Sequence, residues 1–143
     1  MKIVTSLSIA LLLSGCALFK SGYDAATMAK FDNNEYLLAG RISAIADLGS
    51  HYCEHPNVVR YYANDIWLTA KELKLYSDNR NENKDVQELA NALYEIAEGV
   101  GKKYMEYSLT GNETPSAGYC KLKMKSLVAN GAKIQEVIGD KEL

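Results

Sequence analysis

The stretch Val86-Gln-Glu-Leu89-Ala90-Asn-Ala-Leu93-Tyr-Glu-Ile96-Ala97-Glu-Gly99-Val100-Gly101-Lys-Lys-Tyr104-Met-Glu-Tyr107 carries the clearest pattern in the chain. Its apolar residues return at three- and four-residue steps, through Val86, Leu89, Ala90, Leu93, Ile96, Ala97, Val100, Tyr104 and Tyr107. That is the period of an amphipathic helix with one face in a core. Gly99 and Gly101 each weaken such a helix by about 1 kcal/mol relative to alanine, so a close helix approach or a bend is expected there.

Outward from this helix the same period recurs. Residues 56–76 read as a helix opened by Pro56, a residue suited to a first turn and disfavoured in an interior. Its main stripe is Val59, Tyr62, Ile66, Ala70 and Leu73; Val58, Tyr61, Leu68 and Leu75 form a second stripe, set about 100° round the axis. The segment is therefore apolar over an unusually wide arc. The run Ser77-Asp78-Asn79-Arg80-Asn81-Glu82-Asn83 reads as a polar loop with nothing to bury. An earlier helix runs from about Met28 to Ser50 with Phe31, Leu38, Ile42, Ile45, Leu48 and Tyr52 inward, and a last one covers residues 117–138 through Cys120, Met124, Leu127, Gly131, Ile134 and Ile138. No strand-like alternation and no internal repeat appears. Four amphipathic helices with short connections imply an all-α, up-down-up-down four-helix bundle over residues 28–143.

The amino-terminal end has a different character. Lys2 precedes an apolar run over residues 3–13, followed by Leu13-Ser14-Gly15-Cys16. This resembles the lipobox of bacterial lipoproteins: a basic start, a short apolar segment and small residues before a cysteine. The run falls short of the roughly 20 apolar residues that span a bilayer, which argues against a transmembrane helix. The resemblance implies a signal peptide over residues 1–15, cleavage after Gly15 and lipidation at Cys16. Three acyl chains there would make release from a membrane negligible. Ala17 stands where an aspartate tends to retain lipoproteins in the inner membrane. The family thus implies an outer-membrane anchor with the domain facing the periplasm. Residues 16–27 lack a sustained period and read as a lipidated tether with a reach of roughly two nanometres.

With Cys16 given to lipid, Cys53 and Cys120 remain as a pair in an oxidising compartment, and a disulfide is the expected outcome. The topology agrees. In an up-down-up-down bundle the end of the first helix and the start of the fourth share a pole, whereas opposite poles lie some 30 Å apart, beyond the reach of a bridge.

Composition restricts function. A net charge of −2 argues against a sequence-independent grip on nucleic acid. His51, Cys53, Glu54 and His55 lie within five residues and resemble a metal half-site, but a disulfide sulfur is not a thiolate ligand, and solvated histidines at a helix corner are the expected reading. The chain has no Gly-x-Ser-x-Gly elbow, no phosphate-binding glycine loop and no Cys-x-x-Cys-His, so a small hydrolase or a haem protein is poorly supported and no cofactor is expected. The better functional signal is the second stripe, Val58, Tyr61, Leu68 and Leu75. If that surface is open, its natural guest is an amphipathic partner helix.

A lipobox, a small four-helix domain, one cysteine just after the first helix, and Thr114-Pro115 followed by Cys120 together resemble the pilotins of type II secretion. Those outer-membrane lipoproteins bind the carboxyl-terminal segment of a secretin subunit and carry it to the outer membrane. The resemblance covers about residues 52–138 and implies a non-enzymatic adaptor. It does not extend to a residue-by-residue groove, and the Asn-rich run before the third helix does not belong to that pattern. Phage- or plasmid-encoded lipoproteins that exclude superinfection or entry share the same skeleton and are the alternative.

The lipobox generates a first test. The intact mass of the membrane-bound protein should exceed that of the chain beginning at Cys16 by the added acyl groups. Cys16→Ser with an ordinary cleavage site should give soluble protein. An unmodified mature mass in the membrane fraction would refute lipidation.

Overall fold

The computed structural model describes residues 31–81, 83–111 and 113–142; the expected signal peptide, the expected lipidation site Cys16, the expected tether and the expected start of the first helix at Met28 lie outside them. Four helices follow in order: α1 Asn33–Ser50, α2 Pro56–Asp78, α3 Lys84–Thr110 and α4 Ala117–Gly139, with a short 3₁₀ turn Asp140–Glu142 after α4. Each helix packs on its chain neighbour and α4 closes back on α1, while the diagonal pairs stay apart. This is the up-down-up-down bundle. There is no strand among the described residues.

Local chemistry sets the helix ends. Asp32 caps α1, its Oδ1 accepting from the backbone N–H of Asn34 at 2.8 Å and of Glu35 at 3.0 Å. Pro56 occupies the first turn of α2. Gly111, with φ of 64°, ends α3 in the left-handed conformation that glycine adopts without penalty. Ser116 caps α4 through Tyr119 N–H at 3.2 Å, immediately after the buried Pro115.

The core is the stripe expected of α2, α3 and α4: Val59, Ile66 and Leu73 meet Leu93, Val100 and Tyr104, and Met124, Leu127 and Ile134 complete it. In α1 the buried face differs from the expected one. Leu48 and Tyr52 are exposed, and the inward residues are Glu35, Ala39, Ile42, Ala46 and Gly49. Backbone proximity explains the shift. A Cβ on Gly131 of α4 would stand 2.8 Å from the carbonyl oxygen of Ala39, so α1 and α4 touch nearly backbone to backbone. Ser43 ties the same seam by donating to the Val128 carbonyl at 3.2 Å. Small residues are what such a seam accepts, and they carry little hydropathic signal.

Gly101 serves the α2–α3 seam in the same way. A Cβ there would lie 2.8 Å from Trp67 Cε3, so the indole lies across the bare backbone. Gly99, two residues earlier, has nothing within 4 Å of such an atom. The close approach therefore holds at Gly101 and not at Gly99.

At one pole Cys53 and Cys120 are bonded, with Cα atoms 5.6 Å apart and a sequence separation of 67. The opposite pole corrects the reading of residues 77–83 as a loop with nothing to bury. Helix α2 runs on through Asp78, and Ser77 and Asn83 are fully buried. Glu35, also buried, holds Asn83 and its neighbour Arg80: its carboxylate accepts from Arg80 Nη1 at 2.6 Å and from Asn83 Nδ2 at 2.6 Å, while the Ser77 carbonyl accepts from Gln87 Nε2 at 3.0 Å. Asn83 Oδ1 in turn accepts from Lys141 Nζ at 2.7 Å, and Lys141 reaches Asp85 at 2.9 Å. Asp32 joins through the Tyr76 hydroxyl at 3.1 Å and Arg80 at 3.4 Å. Burial raises the Asp32 pKa, but the hydrogen bonds from Glu35 N–H, Tyr76 and Asn34 N–H, together with the Arg80 charge, outweigh it and leave the carboxyl below its ordinary range.

Two stability tests follow. Reduction of the disulfide should cost about 4 kcal/mol on the chain-entropy account for a loop of this length, read as a fall in the urea midpoint with helicity retained at low denaturant. Two free thiols in oxidised, periplasm-derived protein would contradict the bridge. Separately, Gly99→Ala should stabilise by up to about 1 kcal/mol, since it adds helix propensity in open space. Gly101→Ala should destabilise by about 1–3 kcal/mol, because Trp67 must move. Equal effects in urea titrations would refute the close approach.

Candidate binding face

The four residues of the second stripe all reach the surface. Val58 is 38% exposed, Tyr61 68%, Leu68 57% and Leu75 52%. Their disposition differs from the expected one. Helical geometry of about 100° per residue puts Tyr61, Leu68 and Leu75, each seven apart, on one line. Because Val59, Ala63, Ile66, Ala70, Leu73 and Ser77 form the buried face, that line lies almost diametrically outward. The stripe is an exposed ridge along α2, displaced well beyond a single 100° step, and Val58 lies to its α1 side.

Beside the ridge runs a cleft. Arg60, Tyr61 and Asn64 of α2 and Gly101, Met105, Ser108 and Leu109 of α3 enclose a surface concavity of about 260 Å³ near the disulfide pole. Met105 and Leu109 are exposed, one turn apart on the outer face of α3. Gly101 leaves the cleft floor without a side chain, and Trp67 lies against it. Arg60 stands at the mouth, its Nη1 donating to the Ser108 hydroxyl and its Nη2 to the Tyr61 hydroxyl at 3.1 Å. The guanidinium carbon sits 4.9 Å from the Tyr61 ring centroid, in cation–π range.

Sequence reasoning found Tyr61 and missed Arg60, Met105, Ser108 and Leu109. One signal was available: Met105 and Leu109 are apolar residues at i and i+4 outside the buried stripe of α3, an excess with no use in the core. That they face Arg60 is a property of the α2–α3 packing.

Other groups with chemical potential are separated from one another. His51 and His55 are exposed in the α1–α2 corner, and Glu54 pairs with Lys121 at 3.0 Å. Among the described residues no three His, Cys, Asp or Glu side chains gather as a metal site would require. A second concavity of about 380 Å³ lies between α1 and α4, lined by Asp47, Ser50, Lys121, Lys125 and Val128. Tyr104 is buried with no hydrogen-bond partner for its hydroxyl among the described residues, and burial pushes its pKa up to about 12. It is a neutral phenol at physiological pH, and its position is structural. No helix among the described residues is long and apolar enough to cross a membrane.

Compared with protein families, curated proteins and solved structures, the chain matches none.

Proposed function

We propose that this protein is a non-enzymatic, lipid-anchored binding protein. It is held at the outer membrane through Cys16, faces the periplasm, and docks a helical segment of a membrane partner on α2 as a pilotin-like adaptor. The observation that carries the reading is the ridge of Tyr61, Leu68 and Leu75, three large apolar side chains in line on the solvent side of a helix whose opposite face already fills the core. Single exposed leucines are ordinary, but three large apolar side chains repeated every two turns on one outward face, between polar neighbours such as Asn64, Lys71 and Glu72, are more than the core uses and suit a partner helix. The lipobox supports the location, and the pilotin resemblance supports the kind of partner, a secretin or a similar envelope protein.

Two fastenings suit the domain to this task. The disulfide fixes the pole beside the cleft, and the Glu35 network fixes the other. Walls that do not reorganise spend less ordering entropy when a partner docks.

Leu68→Glu and Leu75→Glu test the reading. On an exposed ridge each should change stability by no more than about 0.5 kcal/mol, whereas a buried charge would unfold the bundle. Wild-type protein from detergent-solubilised envelopes should retain a partner that both folded variants lose. A partner profile unchanged in the folded variants would remove α2 as the docking face.

A further inference from the structure

The three arginines of the chain are treated differently by the fold. Arg41 meets Asp65 at 3.1 Å, and Arg80 meets Glu35 at 2.6 Å and Asp32 at 3.4 Å. Arg60 has no carboxylate within ion-pair distance among the described residues; its recorded partners are the Ser108 and Tyr61 hydroxyls and the Tyr61 ring. These neutral contacts orient the guanidinium without neutralising it. On α2 the nearest acid in sequence, Asp65, is engaged with Arg41, and on α3 Glu106 lines a different concavity with Lys103, Tyr107 and Glu113. Arg60 is thus an uncompensated cation fixed at the mouth of an apolar cleft walled by Tyr61, Met105 and Leu109.

That combination selects a ligand chemistry. An apolar group alone would leave the charge unmatched, and an acid alone would leave the cleft walls wet. A guanidinium has donors to spare in a planar fork that matches a carboxylate, and its hydrogen bonds to an anion are about twice as strong as those to neutral acceptors. We infer that the α2–α3 cleft receives an amphipathic helical segment of a partner protein. Its apolar side chains enter between Tyr61, Met105 and Leu109, and a carboxylate at the edge of that apolar face pairs with Arg60. The inference rests on the binding-protein reading and adds to it the partner's charge and the end of the ridge where it docks. The disulfide pole is the specific end, and Leu68 and Leu75 lengthen the contact toward the other.

The chain provides its own reporter, because Trp67 is its one tryptophan and lies on Gly101 at the cleft floor. The lipidated full chain is reconstituted into phosphatidylcholine vesicles. It is titrated with a dye-labelled, acetylated and amidated peptide free of aromatic residues, with leucines at i, i+3, i+4 and i+7 and a flanking glutamate, and with a glutamine twin. Energy transfer from Trp67 reads binding. The acidic peptide should bind wild type roughly three- to tenfold more tightly than its twin. Arg60→Gln should erase that difference, and Arg41→Gln should preserve it, with circular dichroism confirming that both variants fold. Equal binding of the two peptides to wild type would overturn the carboxylate and leave the apolar docking face standing. Binding of neither would overturn the cleft and count against the docking face as well. A Trp67 change that follows protein concentration without peptide, or one produced by phosphatidylglycerol vesicles, would assign the cleft to a second copy or to lipid and overturn the peptide.

Discussion

A carboxylate inside the bundle sets the terms for one whole end of the fold. Glu35 faces the bundle interior from α1, and a carboxyl group buried there is tolerable only with its polar atoms hydrogen-bonded. Arg80 and Asn83 supply the donors, and both belong to the α2–α3 connection. That connection must therefore fold inward over the end of α1. Asn83, a good capping residue, leaves the start of α3 without a side-chain cap because its amide is committed across the bundle to Glu35 and Lys141. Buried ion pairs contribute little net stability compared with apolar packing, but removing one partner costs about 3–5 kcal/mol. The network's effect is on geometry: one residue dictates where α2 stops, where α3 starts and where the chain turns after α4.

Between the poles, spacing is governed by what is missing. Gly131 lets α4 rest on the Ala39 carbonyl, and Gly101 lets Trp67 lie over α3. The α1–α4 and α2–α3 pairs are drawn together by these bare positions. Large side chains lie outside these seams: Met105 and Leu109 are exposed beside the α2–α3 seam, and Leu48 is exposed on α1.

What could be read in the sequence follows from this. The faces of α2, α3 and α4 were legible because large aliphatic residues fill their buried positions at the helical period. The Cys53–Cys120 bond followed from a count and a topology. The α1 face was misassigned because, Ile42 aside, its inward positions hold alanine, glycine and one glutamate, residues that only a neighbouring backbone or a distant arginine makes sense of. Residues 77–83 failed for the same reason: they are polar, and their partner lies more than forty positions away. In the candidate site, the apolar excess on α2 was visible in the spacing of Tyr61, Leu68 and Leu75. The direction of that stripe depended on which α2 face the core claimed, and the role of Arg60 depended on which acids lie nearby after folding. Neither is a property of a single segment.

The disulfide also decides what a protease can accomplish. It joins residue 53 to residue 120, and the whole α2–α3 hairpin with both its flanking turns lies within that covalent ring. A single cut at either polar connection, 79–83 or 111–116, opens the ring without releasing a piece: every part of the severed chain is still linked through sulfur, and the packed helices keep the new ends near one another. A cut before residue 53 or after residue 120 has no such safeguard. The exposed residues of these connections, Asn79 and Asn81 before α3 and Glu113 and Thr114 after it, are therefore the places where the domain can be nicked and remain one molecule, running as a single species until a reductant separates it into two.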